Sequence, residues 1–383
     1  MTWDRADAVA LTEALVGIPS VNPVLEAGGA GESEIAARVA EWLEGWGFAV
    51  ETIEAGAGRP SVVGRVRRGM GRRLVLNGHL DTVGVAGMSV APFAAERRGG
   101  RLYGRGACDM KAGVGALLAA ARDAVRACRF RGELLVVLVA DEEHASRGLA
   151  AVLDAGLEAD GAVVCEPTSL AVMPAHKGFV WLDIEFRGRA AHGSRPERGV
   201  DAIRHAGRFL ARLDELEAAL RARPAHPLLG HGTVHAGTIA GGSAPSVYPD
   251  VCRLVVERRT LPGETAASAR AEVEALLEEL RAEIPALDAV VAVALARPGT
   301  EVDETSPLLQ ALDAALRETG RAPVRAGMSA WVDAAWFNEA GIPAICFGPG
   351  SIEDAHSPDE SVAESEILAA RDVLEALIHG YLD

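Results

Sequence analysis

Residues 133–140, Glu-Leu-Leu-Val-Val-Leu-Val-Ala, run directly into Asp141-Glu142-Glu143-His144. The apolar run reads as a strand, and the acidic stretch begins where that strand must end. A helix is expected over 146–155 and a second strand over 161–165, closing on Cys165-Glu166. Ahead of the run, the Ala- and Leu-rich residues 111–128 read as a helix, preceded by β-rich runs at 48–54, 61–66 and 73–78. Helical periodicity covers 4–17 and 32–47. Strands alternating with helices of these lengths predict an α/β domain, layered around a mostly parallel sheet.

The pattern changes near residue 176. Residues 179–187 alternate as a half-buried strand, a helix is expected over 200–222, and strands over 232–239 and 250–258 flank Gly241-Gly242-Ser243-Ala244-Pro245. A helix over 265–283 and a strand over 288–296 follow. The order β-α-β-β-α-β is the split, ferredoxin-like arrangement. We read 176–294 as a domain inserted into one formed by 1–175 and 295–383, which suits a length of 383 residues. In the last part, helices are expected over 305–318, 331–340 and 361–379, with a strand over 343–347.

Composition narrows the function classes. The chain is 49% hydrophobic and 24% charged, which excludes disorder as its dominant state. No apolar run nears the ~20 residues of a membrane span, and Met1-Thr2-Trp3-Asp4-Arg5 opens no secretory leader. A net charge of −16 argues against a nucleic-acid partner. The five cysteines, Cys108, Cys128, Cys165, Cys252 and Cys346, form no CxxC pair, so a reducing cytoplasm is the natural compartment. Of 38 basic side chains only Lys111 and Lys177 are lysines, a hint that each occupies a place that needs a compact ammonium.

Acids and histidines collect at the expected strand ends, where sites form in open α/β sheets. Gly78-His79-Leu80-Asp81 follows one strand, with a carboxylate placed to orient an imidazole. Gly104-Arg105-Gly106-Ala107-Cys108-Asp109 precedes a helix, where Asp109, taken alone, reads more readily as an N-cap than as a ligand. Asp141-Glu142-Glu143 crowds three carboxylates whose repulsion a cation would relieve, while one stays free as a base; a solvated acidic loop reads the same. Glu166 closes an apolar strand, and Asp354-Ala355-His356-Ser357-Pro358-Asp359-Glu360 lies in a late loop. Mixed N and O donors suit zinc, cobalt or manganese. No P-loop, dinucleotide fingerprint or G-x-S-x-G elbow occurs.

The blocks GHLDTV (78–83), GRGACDMKAG (104–113), ADEEHASRG (140–148), CEPT (165–168), AHGSRPERGVDAI (191–203), RTLPGE (259–264) and FGPGSIEDAHSPDES (347–361) run in order through nearly the whole chain. Together they resemble the two-metal amidohydrolase family of acetylornithine deacetylase, succinyl-diaminopimelate desuccinylase and glutamate carboxypeptidase. The resemblance implies that the inserted domain is a lid that also mediates homodimerisation. It implies two divalent ions, zinc or cobalt, with Asp109 bridging, His79 and Glu166 completing one site, and Glu143 and His356 the other. Asp81 would orient His79, Glu142 would be the general base, and His192 would steady the oxyanion from its own or the partner subunit. Arg259 would hold a substrate carboxylate. Ser246 stands where the family usually carries Asn, which leaves one substrate contact open.

The segment Gly327-Met-Ser-Ala-Trp-Val-Asp333 and the His-Ser-Pro-Asp-Glu ending look more like the deacetylase/desuccinylase branch. The expected reaction is therefore hydrolysis of the amide of a small N-acyl amino acid, such as N-acetylornithine. Desuccinylation, hydrolysis of a lysine-pathway carrier conjugate, glutamate-releasing carboxypeptidase activity and a metal-free binding descendant are the alternatives.

Overall fold

The computed structural model describes residues 7–383. Residues 4–6 of the first expected helix, and the Met1–Arg5 stretch read for a leader, lie outside the described residues. The chain forms two compact units. One comprises the residues up to Pro174, Val302–Ala326 and Val332–Asp383, and the other Ala175–Glu301 and Gly327–Trp331.

The first unit opens with α1 (Asp7–Val16) and α2 (Ser33–Gly45), then β1 (Ala49–Glu54), β2 (Pro60–Arg67), β3 (Arg73–His79), β4 (Glu96–Arg98) and β5 (Arg101–Tyr103). A π-turn at Ala107–Lys111 leads into α3 (Ala112–Ala127), followed by β6 (Glu133–Val139), α4 (Arg147–Asp154), β7 (Gly161–Val164) and β8 (Val172–His176). In the large sheet the order runs β1-β2-β6-β3-β7. The pairs β3/β6 and β3/β7 are parallel, and β1/β2 and β2/β6 antiparallel. All but the first residue of β6 are buried, as a strand covered on both faces requires. Helix α3 is buried almost all round because its Ala and Gly residues let neighbours approach closely.

The second unit holds β9 (Gly178–Arg187), α5 (Ala202–Ala222), β10 (Thr233–Gly241), β11 (Val251–Thr260), α6 (Ala266–Glu283), β12 (Asp288–Arg297) and the short β13 (Thr300–Glu301). Its sheet runs β10-β11-β9-β12 with antiparallel neighbours. Along β9, Val180, Leu182, Ile184 and Phe186 face inward while Trp181, Asp183 and Arg187 face water, a period of two. The inward set packs with Phe209 of α5 and Val273 and Leu277 of α6 in a core of its own. Asp201 caps α5 by accepting from Arg204 N, and Thr265 with Ser268 forms a capping box on α6.

The chain continues with α7 (Pro307–Glu318), β14 (Arg325–Met328), whose last two residues are counted with the second unit, and then, in the first unit, α8 (Ala334–Glu339), β15 (Ala344–Cys346), β16 (Ser361–Ala363) and α9 (Glu364–Leu382). Strand β15 pairs parallel with β7, so β6, β3, β7 and β15 form the parallel centre of the sheet. Helix α9 packs against α3 and α7 over a core that includes Leu117, Leu312, Leu374 and Ile378. Periodicity did not reveal β4, β5 and β16, which form a small antiparallel sheet. Strands of three residues are too short to show a period. The helix expected over 331–340 is cut to α8.

The two lysines share an arrangement. Lys111 Nζ donates to the Ile18 carbonyl at 2.8 Å, and Lys177 Nζ to the His231 carbonyl at 2.7 Å. A compact ammonium suits a single carbonyl acceptor, whereas a guanidinium presents a planar fork of donors.

Two glycines predict opposite responses to the same substitution. A Cβ on Gly113 would lie 1.9 Å from the Cys165 carbonyl oxygen, whereas one on Gly207, exposed on α5, would meet nothing within 4 Å. Gly113→Ala is expected to cost about 1–3 kcal/mol through forced backbone movement. Gly207→Ala should gain about 1 kcal/mol from helix propensity. Chemical denaturation of both variants checks the pair, and midpoints moving in the same direction would contradict it.

Candidate metal centre

The parallel strands β6, β3 and β7 are neighbours, so their carboxyl ends open on one edge of the sheet. His79 is the last residue of β3, Asp141-Glu142-Glu143 follows β6, and Glu166 follows β7. Asp109 reaches the same edge from the π-turn before α3. That helix starts at Ala112 with no side-chain cap, so Asp109 is not an N-cap. Gly106 makes the turn possible: it sits at φ 78°, and a Cβ there would come within 2.6 Å of Thr82 Cγ2.

The geometry centres on Asp109. Its Oδ1 lies 3.1 Å from His79 Nε2, and its Oδ2 3.3 Å from His356 Nε2. His356 Nε2 is also 3.1 Å from Glu143 Oε2. His79, Asp109 and Glu143 offer ligand atoms that all lie within 4.8 Å of one another. His79 Nδ1 is 2.9 Å from the Asp81 carbonyl, an acceptor only, so Nδ1 carries the proton and Nε2 faces the carboxylates.

Charge in this pocket is unbalanced. Burial, and then the neighbouring carboxylates, push Glu142 and Glu166 well above the usual range, against a downward pull from His79. Glu143 is raised by burial and by Asp109. Hydrogen bonds from His356 and His79 hold Asp109 below its ordinary value despite burial. His356, bonded to Asp109 and Glu143, is raised to about 10. Among the described residues no arginine or lysine pairs with Asp109, Glu142, Glu143 or Glu166; protons on two imidazoles are their nearest positive charges. Two N donors and four buried or half-buried carboxylates facing one another are a donor set that fits divalent cations.

Asp81 acts differently from the expectation that its carboxylate orients His79. The carboxylate is 3.8 Å from Nδ1, and the backbone carbonyl makes the short contact. Its oxygens instead accept from Glu142 N at 3.1 Å, Glu143 N at 3.2 Å and Asn22 Nδ2 at 2.8 Å. Asp81 thereby fixes the turn that carries Glu142 and Glu143. Asn22 Nδ2 also reaches Asp141 Oδ1 at 3.1 Å, as does Arg59, which is clamped in turn by Glu32. At the other end of the turn, Ser146 Oγ donates to Asp333 Oδ1. Burial raises Asp333 to about 7, and its Oδ2 has no hydrogen-bond partner. Sequence reading missed Asn22, Arg59 and Asp333 in this role; the only signal was that Asp333 ends the Gly-Met-Ser-Ala-Trp-Val-Asp segment.

His192, Ser246 and Arg259 belong to the second unit. His192 forms an antiparallel bridge with Val247, Gly193 N donates to the Ser246 carbonyl at 2.7 Å, and His192 Nδ1 lies 2.8 Å from Ser194 Oγ. Both His192 and Ser246 are exposed. Arg259 donates to Glu257 at 2.8 Å and lies over the Phe179 ring at 5.4 Å.

Comparisons with known proteins agree with this architecture. Residues 75–380 match the model of peptidase family M20/M25/M40. The chain is 34% identical over 345 residues to an acetylornithine deacetylase of Myxococcus xanthus, covering 87% of this chain and 88% of that protein. It is 29% identical over 380 residues to an acetylornithine deacetylase of Proteus mirabilis, covering 97% and 96%. Among solved structures, aminopeptidase PepT from Bacillus cereus superposes with a TM-score of 0.81 at 19% identity, covering 99% of both chains. A tripeptidase from Staphylococcus aureus gives 0.81 at 22%, covering 98% of both. These two share the fold.

The unbalanced acids predict a metal response. Adding zinc or cobalt to chelator-treated protein should raise its thermal midpoint, by the equivalent of about 2.7 kcal/mol at a hundredfold excess over Kd. Asp109→Asn should lose most of that gain. Metal-free, it should melt somewhat below the metal-free parent, because the ionised Asp109 is held by both imidazoles and its lowered pKa marks a charge that stabilises the fold. A midpoint indifferent to metal in the parent would refute the reading.

Proposed function

The chain belongs to peptidase family M20/M25/M40, and we propose that it hydrolyses the amide bond of a small N-acyl amino acid, acetylornithine deacetylase-like, with two zinc or cobalt ions held by Asp109, His79, Glu166, Glu143 and His356. The observation that carries this reading is the placement of Asp109, one carboxylate oxygen toward His79 and the other toward His356. A carboxylate so placed suits a bridge between two cations.

When bound, the ions supply Lewis acidity, polarising the scissile carbonyl and making water a competent nucleophile near pH 7. The remaining work falls to side chains of this chain. Glu142 takes a proton from the attacking water as its oxygen bonds the carbonyl carbon. It returns that proton to the nitrogen as the C–N bond breaks, releasing a carboxylic acid and a free amine. Asp81 holds the amides of Glu142 and Glu143 and so sets where the base points. We assign oxyanion support to His192, from this subunit or a partner, and a carboxylate contact to Arg259, with Ser246 beside it in the substrate-binding set. Support for a homodimer through the second unit comes from exposed apolar side chains on its strands, Trp181, Ile239, Val290 and Val293. Five unpaired cysteines support a cytoplasmic setting.

Release of free amine from N-acetylornithine, N-succinyl-diaminopimelate, N-acetylmethionine and an acyl-glutamate, with metal-loaded and chelated protein, tests the proposal. Chelator-sensitive turnover of N-acetylornithine is expected; turnover of another member alone would move the chain to that branch. Glu142→Gln should lower kcat by about 10²–10⁴-fold with metal still bound, and wild-type-like turnover would remove the base assignment. His192→Ala should lower kcat and leave metal affinity unchanged; an unaltered kcat would make His192 an ordinary surface residue.

A further inference from the structure

One buried carboxylate outside the ligand set, four residues after His356, holds the turn that carries Asp109. Glu360 is fully buried. Its Oε1 accepts from Cys108 N at 2.9 Å and from Asp109 N at 3.1 Å. Its Oε2 accepts from Gly106 N at 3.1 Å and from Arg105 Nη1 at 2.6 Å. A carboxylate has about four acceptor positions, and here each oxygen takes two donors. The Glu360 carbonyl also accepts from Gly104 N at 3.1 Å. One residue therefore binds almost the whole turn from Gly104 to Asp109.

Glu360 lies four residues after His356, immediately before β16. That strand pairs with β5, Ser361 opposite Tyr103, one residue before the turn begins. The loop carrying His356 and the turn carrying Asp109 are thus joined at this point. Burying an unpaired carboxylate is costly, and Arg105, itself buried, supplies the compensating charge.

We propose that Glu360 is a positioning residue for the metal centre: it fixes the backbone of Asp109 relative to His356, and so sets how well two cations are held. The inference rests on the reading of Asp109 as the bridging ligand. Glu360 touches no ion or substrate in this scheme; it acts through the geometry of the turn. Replacing it by Gln keeps the shape but turns one oxygen into a donor, which would face another donor, either from the backbone or from Arg105.

The test is metal affinity and the visible spectrum of cobalt-loaded protein, measured by chelator competition beside the thermal midpoint of chelated protein. Glu360→Gln is expected to weaken metal binding by about 10–100-fold and to alter the cobalt bands. Its chelated form should melt below the chelated parent, because buried Arg105 loses its partner. Affinity is therefore compared where both proteins are folded, and the cobalt bands, which global stability does not move, separate positioning from folding. Glu360→Asp should recover part of the affinity. If Glu360→Gln does not fold, Arg105→Lys keeps the charge and withdraws the fork, and a severalfold weaker affinity is expected there. Wild-type affinity and spectrum in either folded variant overturns the proposal. A parent protein that takes no metal overturns the metal reading instead, a distinct outcome.

Discussion

Like charge crowded at the end of a parallel sheet is the constraint on which the rest of this molecule turns. Apart from Asp81 and Asp333, which are held by hydrogen bonds from neutral groups, the acids there fall into two groups. Glu32, Asp141 and Glu360 form an outer group, each paired with an arginine, Arg59, Arg147 or Arg105. Asp109, Glu142, Glu143 and Glu166 form an inner group that meets only imidazoles. The guanidinium groups neutralise the frame and leave the centre negative. Repulsion among the inner acids is tolerable because outer contacts over-determine their positions, and it supplies the attraction a divalent ion would satisfy.

Much of this was legible in the sequence because local chemistry and local position coincide. His79, Glu143 and Glu166 each follow a strand signal, and parallel strands deliver their ends to one edge. Their convergence then follows from topology. Asp109 was ambiguous between cap and ligand, and only the start of α3 three residues later decides it. The Asp81 contact could not be read, since the choice between its carbonyl and its carboxylate depends on fractions of an ångström. Asn22, Arg59 and Asp333 were invisible for another reason. They reach the centre from 59 to 187 residues away along the chain, and nothing local marks a side chain for so distant a partner.

The second unit shows the complementary case. Its strand periodicity was plain, because a sheet with one face buried writes its orientation into every second residue. Its chemistry was not, since His192, Ser246 and Arg259 sit on exposed or half-exposed surface, where burial and charge crowding give no signal. Each unit has its own apolar core, so the pattern in one carries no information about the other.

The scarcity of lysine gives the molecule an unusual chemical silence. One of its two side-chain amines is sealed against the Ile18 carbonyl, and the other is engaged by the His231 carbonyl at 2.7 Å and only partly accessible. Reagents that acylate primary amines would find little on this chain beyond its α-amino group. A reaction that liberates an amine can thus be followed in the presence of the protein against a nearly dark background. By the same token, cross-linkers and surface immobilisation aimed at lysine would grip it poorly, and carboxylates are the handles its surface offers in abundance.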